Sequence, residues 1–207
     1  MTIVSTGQAN APQFAVIGMQ GQGALRHVAL LANATPITCG STVAAHHMAG
    51  PGVLVQLPGA SVGADVVAWL GGSDALAANE IEGISDWLAE VRTQVGGGMS
   101  YIVQPPVARD ATTGRTIYRG FSCAGFVAAA YADGAGIPLV DDRALPPIPS
   151  ALIQQVWGPC RPVLLARFGL EGDGPWPVLL PGYLLHAMQR RRASLPYQPT
   201  SADARVP

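Results

Sequence analysis

Cys123 is the residue of this chain that is best placed to act as a nucleophile. It stands in YRGFSCAGFVAAAYADGAG, residues 118–136, directly after Ser122, a residue type that caps helices. Phe126 and Ala130 follow at the four-residue spacing of one helix face. The pattern predicts a helix that begins at Cys123, where unpaired N–H groups and the helix dipole stabilise a thiolate. The alternative is that Cys123 is a small buried residue of the core.

Three histidines could act together with this cysteine. His27 lies in a short apolar run that predicts a strand, and His46 and His47 lie in another. His27 would take the thiol proton and later protonate the leaving group, provided that a second group fixes its tautomer. His46 or His47 could do so, but only one of two adjacent strand residues can face His27. The alternatives are a structural histidine at position 27 and an incidental surface pair at 46 and 47.

The segment FSCAGFVAAAYADGAGIPL resembles the nucleophile helix of the NlpC-type cell-wall peptidases, which are papain-like cysteine enzymes with a Cys-Ser-Gly-Phe-Val motif. Ala124 replaces the usual serine of that motif. The run RHVALLAN, residues 26–33, is similar to the family's histidine strand. The order of histidine before cysteine is similar to the circularly permuted branch, which includes YiiX-type and lecithin retinol acyltransferase-like proteins. Successive strands, a long helix and Tyr101 fit the same order, so the resemblance covers about residues 14–168.

This resemblance implies an α+β, papain-like, NlpC-type permuted fold with an antiparallel sheet packed against the nucleophile helix. It also implies a cysteine hydrolase, an amidase, peptidase or acyltransferase, whose Cys123 forms an acyl-enzyme with help from His27 and from His46 or His47. The substrates would be bacterial cell-wall peptides or other amides and esters, and the Cys123 N–H would be a donor to the oxyanion. A second class of function stays open, a catalytically silent binding module of the same fold, because of Ala124 and the unassigned third residue.

A serine hydrolase is a competing hypothesis. Residues 59–63 match the GxSxG nucleophile elbow around Ser61, and Asp141 and His186 follow in the order of a Ser-Asp-His triad. However, an elbow must be followed by a helix, whereas residues 65–72 are short, β-branched and closed by two glycines. The motif is therefore also explained as a plain turn.

A nucleotide-binding loop is not predicted. Residues 18–23, GMQGQG, follow a strand as a phosphate-binding loop does, but Arg26 stands where the third glycine of GxGxxG is needed. The segment reads instead as a turn that leads to His27. We expect no cofactor and no metal site, since no ligand set appears at usable spacing.

The elements that would position these residues form one domain. The first 70 residues predict short strands, and residues 74–95 predict an amphipathic helix that Gly96 to Gly98 end. Residues 148–157 predict a short helix entered through Pro149, and residues 163–168 a strand. We predict a flexible N-terminus over 1–13, a single domain over 14–193 and a loose tail over 194–207.

Composition and charge exclude several classes of partner. The formal net charge is -1 and only 12% of residues are charged, which does not fit a nucleic-acid binder. No apolar run is long enough for an integral membrane segment. The small, odd number of cysteines does not indicate a disulfide framework, and we expect Cys39 and Cys160 to be core residues. The chain lacks a secretory signal, so we expect a cytoplasmic protein or one exported by a specialised system. The cluster at residues 189–192, QRRR, suits a helix C-terminus or an anionic surface, and the oligomeric state stays open.

Overall fold

The computed structural model describes residues 14–21, 24–31, 42–43, 45–49, 53–56, 62–63, 66–70, 74–94, 112, 120–157, 165, 170, 172 and 174–204. Within these ranges the protein mixes helices with small antiparallel sheets, as the predicted α+β class requires. No helix in the described ranges is long and apolar enough to cross a membrane.

A five-stranded antiparallel sheet is built from the first part of the chain, where the sequence predicts short strands. Its order is β5-β4-β2-β1-β7. The strands are β1 (Ala15–Gly21), β2 (Ala24–Leu31), β4 (His46–Ala49), β5 (Val53–Gln56) and β7 (Val66–Ala68). The glycine turn predicted over residues 18–23 is wrong for residues 18–21, which belong to β1, while residues 22 and 23 lie outside the described part of the chain.

Two short antiparallel pairs complete the strands. The first joins β3 (Thr42–Val43) to β6 (Val62–Gly63), and the second joins β8 (Pro147–Ile148) to β9 (Trp176–Pro177). Of the strand predicted over residues 163–168, the structure describes Leu165, which is helical, so the prediction is wrong at that residue; the other five positions lie outside the described residues.

Four α-helices whose bounds lie in the described residues pack around this sheet: α1 (Ala78–Gln94), α2 (Cys123–Ala129), α3 (Ser150–Trp157) and α4 (Pro181–Met188). The first of them begins four residues later than residue 74, where the sequence predicted its start. The physical reason is a cap at the start of the helix. The Ala77 N–H donates to Glu80 Oε2 at 2.8 Å, so the helix begins after Ala77. A π-helical turn, Ala130–Gly134, continues α2 and is followed by Gly136, whose φ of +69° favours glycine.

One face of the sheet carries the hydrophobic core. Val16 of β1, Val28 and Leu30 of β2, and Val66 and Ala68 of β7 belong to a buried cluster. The cluster also contains residues from all four helices, such as Ile84, Phe126, Ile153 and Leu184. The helices therefore lie on the Val28 and Leu30 side of the sheet, which we call the helical face.

The C-terminal segment, which the sequence predicted to be a loose tail over 194–207, makes defined backbone contacts. Leu139 O accepts from the Tyr197 N–H and Tyr197 O accepts from the Asp141 N–H, both at 2.9 Å. A 3-10 turn, Ser201–Ala204, lies against α4, where a side chain at Gly182 would meet Asp203 O at 2.8 Å. The prediction of a loose tail is wrong as far as residue 204, because these backbone contacts lie outside any periodic sequence pattern.

Candidate active site

Cys123 is the first residue of α2, as the sequence predicted. Ser122 is the N-cap, and its Oγ accepts from the Gly125 N–H at 2.9 Å while its carbonyl accepts from the Phe126 N–H at 2.9 Å. A serine that caps in this way fixes where the helix begins. The thiol is therefore held at a helix N-terminus, the position that lowers the cost of a thiolate.

Cys123 is also fully buried. Its relative exposure is 0%, and it belongs to the same apolar cluster as Phe126 and Val127. Burial of this kind is typical of a structural cysteine and requires an opening of the surroundings before a substrate reaches the sulfur. Position and burial therefore point to different roles for this residue.

An aromatic cluster holds the start of α2 against α1. The Trp87 ring of α1 lies 5.3 Å from the Phe126 ring and 6.0 Å from the Phe121 ring, measured between centroids. The two phenylalanine rings meet edge to face at 5.8 Å. Such pairs favour tilted and edge-to-face arrangements, so they orient α1 as well as filling space.

The strands that carry the histidines lie beside the cysteine helix, since α2 packs against both β2 and β4. His46 pairs with Leu30 across the β4 and β2 strands. Residues directly opposite each other in an antiparallel pair share a face, so His46 lies on the helical face with Leu30. Its side chain is buried, with 8% relative exposure.

His27 lies on the other face of the sheet. β1 and β2 keep a regular register from Met19↔His27 to Ala15↔Leu31, with the irregularity on the far side of His27. Successive side chains of a strand point to alternate faces of the sheet. The His27 position therefore belongs to the face opposite that of Val28 and Leu30. The register thus places His46 on the helical face, where Cys123 is also buried, and places His27 on a strand position of the opposite face. The side chain of His47 lies outside the described residues.

Arg92, in the last turn of α1, is a site residue that sequence reasoning missed. Its Nη2 lies 3.1 Å from Nδ1 of His46. A lone basic residue near a helix C-terminus is explained by the helix dipole alone, so nothing in the sequence connects it with position 46. Only the packing of α1 beside the sheet reveals the contact.

The residues of the competing serine triad do not form one unit in the described part of the chain. Ser61 lies outside it. Asp141 Oδ1 accepts from the Arg143 N–H at 3.1 Å, whereas His186 Nε2 lies 4.0 Å from Oδ1 of Asp203. Cys39 and Cys160 also lie outside the described residues.

The basic cluster at residues 189–192 makes contacts within the chain. Arg190 places its guanidinium carbon 4.8 Å from the centre of the Tyr197 ring, and Arg192 donates hydrogen bonds to both oxygens of Glu80. That pairing holds the pKa of Glu80 below its usual value, although burial acts the other way. Two of the three arginines therefore contribute to docking the C-terminal segment.

The described residues contain no group of three or more histidine, cysteine or acidic side chains that could hold a metal ion. Comparison of the chain with models of known protein families, with curated proteins and with solved structures gave no match. The chemistry of the site therefore rests on its own geometry.

Proposed function

We propose that this protein is a cysteine hydrolase or acyltransferase with a permuted papain-like fold, in which Cys123 forms an acyl-enzyme. The observation that carries the proposal is the meeting of a capped cysteine helix with a buried histidine on the same face of an antiparallel sheet. The thiolate would attack an amide, ester or thioester carbonyl, and water or another acceptor would then release the acyl group. Bacterial cell-wall peptides are one candidate class of substrate, by resemblance alone.

The partner of Cys123 in this proposal is His46. The sequence assigned the base to His27, but the strand register favours the histidine on the helical face. A pair of variants distinguishes His46 from His27 as the partner of Cys123. His46→Ala removes the buried histidine, and His27→Ala is the matched control on the same sheet.

The experiment is trapping of the acyl-enzyme with an aryl ester and a thioester, followed by peptide mass spectrometry. We expect an acyl adduct on Cys123 in the wild type, at least about 10-fold less of it in His46→Ala, and little change in His27→Ala. Cys39 and Cys160 are internal controls for simple chemical acylation. Equal labelling of all three cysteines, or none on Cys123, contradicts the proposal.

The burial of Cys123 favours a second candidate, a catalytically silent binding module of the same fold. In that case the thiol is a core residue, and Cys123→Ala would cost stability without removing a function. Alkylation by iodoacetamide distinguishes the two, because a core thiol reacts only when the protein unfolds. A fluorophosphonate probe tests the remaining alternative, which requires label on Ser61.

A further inference from the structure

Residues 195–204 lie against α4, and we call them the C-terminal strap. The strap is joined to the chain after α2 at Tyr197. Its N–H donates to Leu139 O and its carbonyl accepts from the Asp141 N–H, both at 2.9 Å. Pro199 and Ala204 are the buried residues of the strap, and its other positions are exposed or half-buried. A segment that buries little apolar surface depends on hydrogen bonds that water can replace, so its local stability is low.

The Asp203 carboxylate holds the strap in its shape. Its Oδ2 accepts from the Tyr197 hydroxyl at 2.6 Å and from the N–H and the hydroxyl of Thr200, both at 2.7 Å. Its Oδ1 lies 4.0 Å from Nε2 of His186, on α4. Hydrogen bonds to a carboxylate are stronger than those between neutral groups. One side chain therefore shapes the strap and also faces the helix beneath it.

The Tyr197 ring is the second link between the strap and α4. The ring of His186 stacks on it with 6.3 Å between the centroids, and the guanidinium carbon of Arg190 lies 4.8 Å from its centre. The hydroxyl of the same tyrosine donates to Asp203. Because the ring and the carboxylate are bonded to each other, we expect them to leave α4 together.

Tyr183, in the first turn of α4, makes the docked state costly. Its hydroxyl is fully buried and has no hydrogen-bond partner among the described residues. Burial raises the pKa of this phenol, and the charges of Asp203 and Tyr197 add to the effect, so the phenol lies near the strap. At the neighbouring Gly182 a Cβ would meet Asp203 O at 2.8 Å, so the strap packs directly on this turn. A buried hydroxyl without a partner costs free energy, and this cost ends when water reaches it.

We propose that the C-terminal strap is a latch that opens as a unit while the sheet and helices α1 to α4 stay folded. Asp203 holds the latch closed, and the buried hydroxyl of Tyr183 favours the open state. Opening uncovers the first turn of α4 and releases residues 139–141 from their pairing with Tyr197. The latch is independent of the chemistry at Cys123.

Native-state hydrogen exchange followed by NMR tests whether the strap opens by itself. The amides of Tyr197 and Asp141 donate across the strap contact, and we call them the strap amides. The Phe126 amide, which donates to Ser122 O at 2.9 Å, reports on α2. We expect the strap amides to share one protection factor within about 3-fold, at least about 100-fold below that of Phe126. Equal protection of all three amides would mean that the strap opens only when the domain unfolds, which overturns the proposal.

Two substitutions should move the latch in opposite directions. Asp203→Asn removes the charge at nearly constant shape and should lower the protection of the strap amides about 10-fold. Tyr183→Phe removes the unpartnered hydroxyl and should raise that protection about 10-fold. Thr200→Ala, at an exposed position, loses one hydrogen bond to Asp203 and should lower it about 3-fold, which gives the same test if Asp203→Asn does not fold. Strap amides that are no better protected in Tyr183→Phe than in the wild type contradict the proposal.

Tyr131→Phe is the matched control for the core. It removes the same atom from a buried tyrosine, but this hydroxyl donates to Phe14 O at 2.8 Å. Loss of that bond should lower the protection of the Phe126 amide about 10-fold. The strap amides should keep their wild-type protection, since the strap opens without breaking the bond to Phe14. Equal lowering at the strap amides and at Phe126 would show that strap and core open in one step, and the latch would be excluded.

Discussion

Replacement of Gly83 by alanine tests the close crossing of α1 and the π-helical turn that follows α2. A Cβ at Gly83 would lie 2.1 Å from the carbonyl oxygen of Gly134 and 3.2 Å from its carbonyl carbon. Both atoms belong to the backbone, so no side chain can rotate away. Restoring ordinary contact requires the two segments to separate by about 1 Å.

Two opposing effects determine the free energy of unfolding of this variant. Alanine stabilises a helix by about 1 kcal/mol relative to glycine. Against this, overpacking costs roughly 1 to 3 kcal/mol, and a gap of about 1 Å forfeits up to half of the dispersion energy of each contact that opens. Trp87 and Leu88 of α1 lie in the buried cluster that would be pulled apart. We expect a net loss of about 2 kcal/mol.

Urea denaturation followed by tryptophan fluorescence measures this loss as a shift of the unfolding midpoint at constant slope. Ser85→Ala is the matched control, because Ser85 is exposed on the same helix and its Oγ bonds only within the helix, to Ile81 O at 2.9 Å. We expect that control to stay within about 0.5 kcal/mol of the wild type. If Gly83→Ala is as stable as Ser85→Ala, helix propensity outweighs the contact and the reasoning from the close crossing is wrong.

Two further predictions concern buried polar contacts. Tyr131→Phe removes the O–H that donates to the buried Phe14 carbonyl at 2.8 Å, and we expect a loss of about 1 to 2 kcal/mol in urea denaturation; unchanged stability would show that this hydrogen bond contributes nothing net. Burial tends to raise the pKa of Asp203, but hydrogen bonds from Tyr197 and Thr200 outweigh it and hold that pKa below its usual value. Its contribution to stability is therefore fully present above about pH 4 and is lost as the pH falls through the lowered value. Unfolding free energies at about pH 6 and pH 3 should differ less in Asp203→Asn than in the wild type, and an equal difference in both proteins contradicts the assignment.

Tyr183 of α4 marks a place in the described structure where a polar group lacks a hydrogen bond. Its hydroxyl is buried and has no hydrogen-bond partner among the described residues. Burial raises the pKa of this phenol, and the nearby Asp203 carboxylate adds to the effect. An unsatisfied buried hydroxyl costs free energy, so the docking of residues 197–204 on α4 is stabilised by Asp203 and its partners rather than by Tyr183.

Local patterns in the sequence determined much of the secondary structure. Ser122 before an apolar run predicts the start of α2, and the helical spacing of Ile84, Leu88 and Val91 predicts α1. These signals depend on interactions between residues that are close in sequence, namely caps and repeated burial of one face, so they can be read without the fold. The β-rich first third of the chain was predictable for the same reason.

The assembly of the candidate site was decided by tertiary structure. Whether a histidine faces α2 depends on strand register, since a shift of one residue exchanges the two faces of a strand. The register places His46 with Leu30 on the helical face and leaves His27 on the other, although both lie in similar apolar runs.

The sequence by itself thus determined that Cys123 begins a helix and that histidines lie on strands before it. Only the tertiary structure decided that His46 lies on the helical face of the sheet, that Arg92 from a distant helix bonds to it, and that the C-terminal segment docks on α4. The physical reason is range, because caps and periodicity act over a few residues, whereas Arg92 and His46 are 46 positions apart and meet only when the core forms.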